Sequence, residues 1–367
     1  MDKVVGVLGS SGTVGRYVTG KLLSNGVRVV GGQRSAPSLD YGEAFEFFRV
    51  DVRETDTLTS FCEKCDIVIN CISPVYIYGS IVANIAAQTN TIYIDLTTVI
   101  MQEKELPDDG TYVIAGGYVP GLSEYIPRVL IKKEFDSVER MIMYQGGTEL
   151  CSEAALADII LSADGTRGDK CVRDGVVKPF RTSSEKMVLL PGFYDAMILK
   201  ASLSKEIQDV GSYFGISDIY AFNVYPSKAV VSVLLNSMNI RFRCADKELA
   251  ASKIIEQMKE YKNKNKYTPE SSYAVLGFEI SGVSNGEKKA IRCYMHLKDS
   301  GRMCGYMVAE AALSIIKKGI KSGMHFAADI LDEGYFERLK SELGTNDSWL
   351  CEEIPYDKVT DLNDFIV

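Results

Sequence analysis

Three glycines near the N-terminus form the pattern with the clearest chemical meaning in this chain. Gly9, Gly12 and Gly15 follow a short apolar run, Val4 to Leu8, and precede an amphipathic segment that ends at Gly26. A strand, a glycine turn and a helix in this order present the amides of a helix N-terminus to a phosphate group. Glycine also lets the backbone approach a pyrophosphate closely. The pattern predicts a dinucleotide site. We expect Ser11, Thr13 and Val14, which lie between the glycines, to contact the dinucleotide.

The residues after the second apolar run indicate which dinucleotide binds. An NAD site usually has an acid roughly 20 residues past the glycines, where it binds the ribose 2′-hydroxyl. The run Gly31-Gly-Gln-Arg-Ser35 contains no acid. Arg34 can bind a 2′-phosphate with its planar guanidinium, and Ser35 can add a hydroxyl. The sequence therefore favours NADP(H), with Gln33, Arg34 and Ser35 at the adenosine end. The alternative for Arg34 is a solvated loop position.

Apolar runs and short helical segments alternate up to about residue 115, which predicts a parallel, doubly wound sheet. Ligands of such sheets bind at the carboxyl ends of the strands. The residues that follow the later strands are therefore predicted to complete the cofactor site: Asp51, Val52, Cys71, Ile72, Ser73, Pro74, Asp95 and Gly117.

From about residue 136 the pattern changes to longer alternating strands, and a periodic helix at 303–318 is predicted to return to the nucleotide domain. We predict strands at 138–145, 221–224, 229–236, 272–280 and 289–296, and helices at 149–163 and 247–261. The predicted fold is α/β, with a Rossmann doubly wound parallel sheet and a second α+β domain on a mixed, largely antiparallel sheet. The predicted domains are 1–135 with 303–332 for NADP(H), 136–302 for substrate and dimerisation, and 333–367 as a C-terminal tail. A homodimer is expected.

Composition excludes several classes of function. The net charge of −8 in 367 residues argues against a nucleic-acid or anionic membrane surface, and no apolar stretch is long enough to span a bilayer. The N-terminus opens directly into a strand, so we expect no signal peptide. Nine scattered cysteines, among them Cys71, Cys151, Cys244 and Cys293, predict buried free thiols in a reducing cytoplasm. Cys62 and Cys65 form an isolated CxxC, and with only two histidines no metal site is predicted.

Several N-terminal segments together resemble the saccharopine dehydrogenase-like family. They cover about the first third of the chain and are Gly9-Ser-Ser-Gly-Thr-Val-Gly15, Gly32-Gln-Arg34, Val68-Ile-Asn-Cys-Ile-Ser-Pro74, Tyr93-Ile-Asp-Leu-Thr97 and Gly116-Gly-Tyr-Val-Pro-Gly121. The resemblance implies a two-domain enzyme that transfers hydride from NADPH to a carbon–nitrogen double bond. No arginine cluster that would bind an amino-diacid is evident in the second part.

Two later segments, 305–313 and 323–328, are similar to one branch of this family. That branch comprises stand-alone thiazolinyl imine reductases, which reduce a carrier-bound thiazoline during nonribosomal peptide siderophore synthesis. The resemblance implies a small-molecule or carrier-protein-tethered substrate and a peptide synthetase as partner.

Reduction of a carbon–nitrogen double bond also requires a proton donor for the nitrogen. Tyr118 lies in the loop expected beside the nicotinamide. His325 is predicted in a Gly-Met-His-Phe loop after the returning helix, and histidine is a side chain suited to proton transfer. Tyr144, Glu149 and Glu153 lie in or just after the first strand of the second domain. The alternative for each of these residues is a structural role.

Enzymes of a different family and binding proteins also use a glycine turn of this kind. A short-chain dehydrogenase needs a Tyr-x-x-x-Lys pair on a helix after the fifth strand. Tyr17/Lys21 lies on the dinucleotide helix and Tyr294/Lys298 in a predicted strand, so neither pair is in that position. A saccharopine- or opine-type amino-acid dehydrogenase remains open, as does an NADP(H)-binding redox sensor without turnover.

Overall fold

The computed structural model of the protein describes residues 3–38, 40–102, 106–162, 168–183 and 186–362. Its strands are β1 (Val4–Leu8), β2 (Arg28–Gln33), β3 (Phe45–Arg49), β4 (Ile67–Asn70), β5 (Ile92–Asp95), β6 (Thr111–Ile114), β7 (Ser137–Gly147), β8 (Lys170–Arg173), β9 (Val176–Pro179), β10 (Ile198–Ala201), β11 (Asp218–Tyr225), β12 (Ala274–Ser284), β13 (Glu287–Leu297), β14 (Gly323–Phe326) and β15 (Ser348–Ile354).

The helices alternate with the strands in the first part of the chain and cluster in the second. They are α1 (Gly15–Ser24), α2 (Thr55–Glu63), α3 (Val75–Gln88), α4 (Leu122–Glu134), α5 (Glu153–Ser162), α6 (Lys205–Phe214), α7 (Lys228–Arg243), α8 (Lys247–Lys264), α9 (Ser300–Lys318), α10 (Ala327–Ile330) and α11 (Tyr335–Ser341). Within the described ranges, no helix is long and apolar enough to cross a membrane.

The first sheet is parallel throughout, in the order β14-β6-β5-β4-β1-β2-β3. Its central strands are apolar on both faces because helices cover both. Val5, Ile69 and Ile94 pack with α1 and α9 on one face. Leu8 and Val68 pack with α2 and α3 on the other. This is the predicted Rossmann sheet, and the break in strand order beside β1 creates a crevice for a ligand at its carboxyl edge.

The second sheet is mixed, in the order β15-β13-β12-β7-β11-β8-β9, with β10 paired to β11. Its β7 and β11 are parallel, whereas β12 runs antiparallel to both β7 and β13. Helices α4 and α6 share a core with one face of this sheet. The fold class predicted from the sequence is confirmed. Helix α9 leaves the end of β13 and packs along α1 of the first sheet.

One predicted strand is wrong. The segment 229–236, expected to be a strand, lies inside α7. Ser227 caps this helix by accepting a hydrogen bond from the Val230 amide, and Val230, Val233 and Ser237 are its buried positions. A helical spacing of buried residues therefore outweighs the β-branched character of the segment, because packing overrides propensity.

The cysteine prediction also needs correction. Cys293 forms a disulfide with Cys351, directly opposite it in the β13–β15 pair. Cys151 is exposed, and Cys71 and Cys244 are only half-buried. The prediction of buried free thiols failed for Cys293 because its partner lies 58 residues further along the chain.

A buried ion pair ties the C-terminal segment to the second sheet. The Glu279 carboxylate, fully buried, accepts hydrogen bonds from Arg292 Nε at 2.8 Å and from the Thr360 amide at 2.6 Å. The Thr360 hydroxyl adds a third hydrogen bond at 2.9 Å. A buried charge is tolerated only where such partners replace its hydration.

We expect Arg292→Met to lower the free energy of unfolding by about 3 kcal/mol, because it leaves the Glu279 charge buried without its cation. Lys132→Met is the matched control, since Lys132 pairs with Glu333 at an exposed site. The control should lose less than about 1 kcal/mol. Urea denaturation measures both, and equal losses would contradict the structural role of the buried pair.

Candidate functional site

The turn between β1 and α1 has the geometry that a pyrophosphate needs. Gly9 adopts a φ of +77°, and a Cβ on Gly15 would lie 2.0 Å from the Gly9 carbonyl oxygen. Only glycine avoids both the strain and the clash. Val14, the N-cap of α1, provides no side-chain cap. The Arg16 and Tyr17 amides already donate to the Gly12 and Val14 carbonyls, at 3.1 and 2.9 Å, so a phosphate would meet the amides that precede them. The predicted cofactor contacts Ser11, Gly12 and Thr13 lie in this turn.

Gln33 fixes the turn from the end of β2. Its amide oxygen accepts hydrogen bonds from Ser10 Oγ at 3.1 Å and from the Ser11 amide and hydroxyl at 3.0 and 2.8 Å. Its Nε2 donates to the Ser35 carbonyl at 2.7 Å. In the structure Gln33 holds the phosphate turn in place, and its contact with the cofactor stays a prediction.

Two arginines lie at the adenosine end of the crevice. Arg34 and Ser35 are exposed beyond β2, where a 2′-phosphate can reach them. Arg53, which the sequence did not single out, donates to the Asp51 carboxylate through Nε at 2.9 Å. The Arg53 guanidinium, with a smaller contribution from Arg34, holds the pKa of Asp51 well below its usual range. Asp51 is therefore tied to Arg53 instead of being free for the adenine, and Val52 beside it is half-buried.

The loops after β4 and β5 lie against the turn. A Cβ on Gly9 would touch the Cys71 carbonyl and the Ile72 side chain, at 3.1 and 3.2 Å. Buried Asp95 accepts hydrogen bonds from the Thr97 amide and hydroxyl at 2.7 and 2.9 Å, and also from the Tyr93 hydroxyl. Burial raises the pKa of Asp95. Asp95 thus shapes the loop that follows β5.

An acid from the second domain reaches this edge. Asp158, on α5, accepts a hydrogen bond from the Tyr76 amide at the start of α3, at 2.9 Å. The Val75 amide and the Ser73 hydroxyl also bond to it, while burial raises its pKa to about 6. Ser73 and Pro74 were predicted cofactor contacts, and Asp158 was missed. Its only sequence signal was an acid in the middle of the apolar helix α5, five residues after Glu153.

Glu149 and Tyr118 lie near each other, where the loop after β6 approaches the start of α9. Both carboxylate oxygens of Glu149 accept from the Ser300 amide, at 3.2 and 3.3 Å, at the N-terminus of α9. Burial raises the pKa of Glu149 to about 7. Tyr118 follows Gly117 in the loop after β6, and its hydroxyl, also buried, has no hydrogen-bond partner among the described residues. Burial first and the nearby Glu149 second raise the pKa of Tyr118.

Cys304 belongs to the same group. Its Sγ accepts a hydrogen bond from the Tyr118 amide at 3.1 Å, one turn after Ser300. Burial raises the pKa of Cys304 to about 12, so the thiol is neutral at physiological pH. Glu149, Tyr118 and Cys304 therefore lie where the first sheet, the second sheet and α9 come together.

Two of the other candidate proton donors, Tyr144 and His325, lie elsewhere. Tyr144 is 1% exposed and packs against Phe193 inside the second domain. His325 was expected in a loop but lies in β14, an edge strand, where its Nε2 is 2.9 Å from the Lys321 carbonyl. The structure brings neither residue to Glu149. In the part of the chain that the structure describes, no cluster of His, Cys, Asp and Glu could hold a metal ion.

Two cations that contact sequence neighbours of Ser300 and Glu149 are paired with other acids. Arg16 and the Tyr17 hydroxyl bind the Asp299 carboxylate, at 3.4 and 2.6 Å. Lys262 binds Glu153 at 3.1 Å and donates to the Cys151 carbonyl at 2.7 Å. Glu153, a further candidate acid, is therefore held as an ion pair. Burial opposes its ionisation, but a hydrogen bond from its own backbone amide and the Lys262 ammonium together lower its pKa.

The glycine turn at the carboxyl edge of the parallel sheet defines a dinucleotide-binding domain of the Rossmann type. Residues 5–114 match the family model described as "Saccharopine dehydrogenase NADP binding domain". NADP(H) is therefore the cofactor of this domain. The search of curated proteins returned no match.

A solved structure shares the fold along the whole chain. Apo saccharopine dehydrogenase (L-Glu forming) from Saccharomyces cerevisiae aligns with a TM-score of 0.66 at 16% identity, over 96% of this chain and 100% of that one. ChuY, an anaerobillin reductase from Escherichia coli O157:H7, aligns at 18% identity over 26% of this chain and 50% of its own, with a TM-score of 0.23. The yeast enzyme thus shares the two-domain architecture along its whole length.

We expect Arg34→Ala to weaken NADPH binding by about 10-fold or more and NADH binding by less than about 2-fold, because only NADPH carries the 2′-phosphate that the guanidinium can bind. Fluorescence titration of the reduced cofactors measures both dissociation constants. Lys64→Ala is the control, since Lys64 is exposed and pairs with Glu46. An equal loss for the two cofactors would exclude the 2′-phosphate role.

Proposed function

We propose that this protein is an NADPH-dependent reductase of a carbon–nitrogen double bond and that Glu149 supplies the proton. The observation that carries the proposal is the Glu149 carboxyl, with its pKa raised to about 7, beside Tyr118 at the junction of the two domains. A general acid works best when its pKa lies near the working pH. Buried carboxyl groups with such values are frequent at active sites.

The hydride and the proton of the reduction come from different groups. Bound NADPH supplies a hydride to the imine carbon. The protonated Glu149 carboxyl donates its proton to the imine nitrogen, so the double bond becomes a single bond with one new C–H and one new N–H. The remaining carboxylate is stabilised by the Ser300 amide and by the positive end of the α9 dipole. Water restores the proton before the next turnover.

The surroundings of Glu149 support an uncharged imine as substrate. An amino-diacid brings carboxylates that need cations, but Arg16 and Lys262 are engaged with Asp299 and Glu153. A thiazoline ring brings no such charge. We therefore favour a thiazolinyl imine reductase that acts on a carrier-bound nonribosomal peptide siderophore intermediate. A saccharopine- or opine-type dehydrogenase is the alternative, and an NADP(H)-binding sensor without turnover is a further one.

We expect Glu149→Gln to lower kcat for imine reduction by about 100-fold or more with little change in KM, because the amide cannot donate an acidic proton. In the wild-type protein, kcat for reduction should fall as the pH rises through about 7, where Glu149 loses its proton. NADPH absorbance in a stopped-flow instrument gives both quantities. Tyr118→Phe is the comparison, because it removes only the neighbouring hydroxyl.

A loss of the same size in Tyr118→Phe, together with an unchanged pH profile in Glu149→Gln, would assign the proton to Tyr118 instead. Turnover by Glu149→Gln at the wild-type rate would reject the acid role of Glu149.

A substrate panel separates the candidate functions. We expect NADPH oxidation with a cyclic imine or a thiazoline thioester, and no NADP⁺ reduction with saccharopine or an opine. Oxidation of the amino-diacid alone would favour the saccharopine-type alternative. Tight NADPH binding without oxidation on any substrate would favour the sensor.

A further inference from the structure

The α7–α8 hairpin differs in charge from the rest of the protein. Residues 228–266 hold nine Lys and Arg against four Asp and Glu, a net charge of +5. The whole chain has a net charge of −8, so the remaining residues carry −13. A basic element on an acidic protein creates a local field that attracts an acidic partner.

The outer face of this hairpin also exposes large apolar side chains. Leu235 and Phe242 are 56% and 68% exposed. They are seven positions apart in the sequence, about two helical turns, so they lie on the same side of α7. Leu249, in the first turn of α8, is 47% exposed. The Arg241 guanidinium lies 5.3 Å from the centre of the Phe242 ring, so charge and apolar surface adjoin. We call Leu235, Phe242, Leu249, Arg243 and Lys253 the hairpin surface.

The same hairpin runs along the cofactor crevice. At its tip, the Lys247 ammonium lies 4.6 Å from the centre of the Tyr76 ring on α3. At its base, Lys262 donates to the Cys151 carbonyl, two residues from Glu149. A partner on the hairpin surface would therefore stand beside the crevice, within reach of Glu149 for a substrate on a flexible arm.

We propose that the hairpin surface docks a small acidic protein domain that carries the substrate as a thioester. This inference rests on the proposed function. The apolar side chains supply the desolvated centre and the basic residues the polar rim of such an interface. A second copy of the chain is a poorer occupant, because a twofold contact through this surface would place one basic patch on another.

The first experiment measures docking without turnover. The probe is a fluorescently labelled peptidyl carrier domain of net negative charge, bearing a pantetheine arm, titrated into the full chain. We expect Leu235→Asp with Phe242→Asp, and separately Arg243→Glu with Lys253→Glu, to raise the dissociation constant by about 10-fold or more. Binding should weaken with added salt, because exposed charges are screened.

Matched controls place the same changes elsewhere. Val176→Asp with Leu189→Asp alters two equally exposed apolar residues, and Lys317→Glu with Lys318→Glu reverses two exposed charges at the end of α9. The controls should change the dissociation constant by less than about 2-fold, the range expected of surface substitutions outside an interface. Equal weakening by hairpin and control variants, or no binding of the acidic domain to the wild-type chain, overturns the proposal.

The second experiment compares one imine on the carrier domain with the same imine on a short pantetheine thioester. The hairpin variants should lose kcat/KM only for the carrier-bound form. An equal loss for both forms overturns the docking role. If the wild-type chain binds the carrier domain but reduces neither form, the proposed function fails while docking stands. Light scattering tests for a dimer, and binding to anionic vesicles tests for a membrane contact. If the hairpin variants abolish either one, the surface is assigned to that occupant instead.

Discussion

The position of helix α9 is the constraint on which the rest of the site depends. It begins at the end of a strand of the second sheet and lies along α1, the helix that follows the glycine turn. Its first amide binds Glu149, and the thiol one turn later binds the Tyr118 backbone. One rigid element therefore sets the distance between the phosphate turn and the buried acid. Neither domain contains all of these residues, so they come together only because α9 joins the two domains.

Burial gives the acids at this junction their properties. Glu149 and Asp158 both lie where the second domain meets the cofactor edge, and for both the loss of hydration is the main cause of a raised pKa. Part of this loss of hydration is offset at helix N-termini. The N-terminus of α9 donates a hydrogen bond to Glu149, and that of α3 donates one to Asp158. The balance leaves Glu149 able to gain or lose a proton near neutral pH, as a group that passes protons requires.

Local sequence determines the features that could be predicted. Gly9 and Gly15 act within one turn, and the apolar runs of the parallel strands are buried on both faces, so both signals are strong over a few residues. Asp158 and Arg53 depend on contacts that no short window contains. Glu149 was a candidate, but its contact with Ser300 spans 151 residues. His325 was placed in a loop because four residues give no reliable periodicity, and 229–236 was misassigned because its β-branched residues hide a helical spacing.

The disulfide between Cys293 and Cys351 has a topological consequence. Its ends are 58 residues apart, and the segment between them includes α9 and β14, which are the chain's return into the first domain. The bond closes this segment into a covalent ring, and both ends of the ring lie in the second sheet. By loop-closure entropy alone, such a ring disfavours the unfolded chain by about 4 kcal/mol. The ring includes segments of both domains. The disulfide therefore also restricts the conformations of the unfolded cofactor domain, although the bond itself lies in the second sheet.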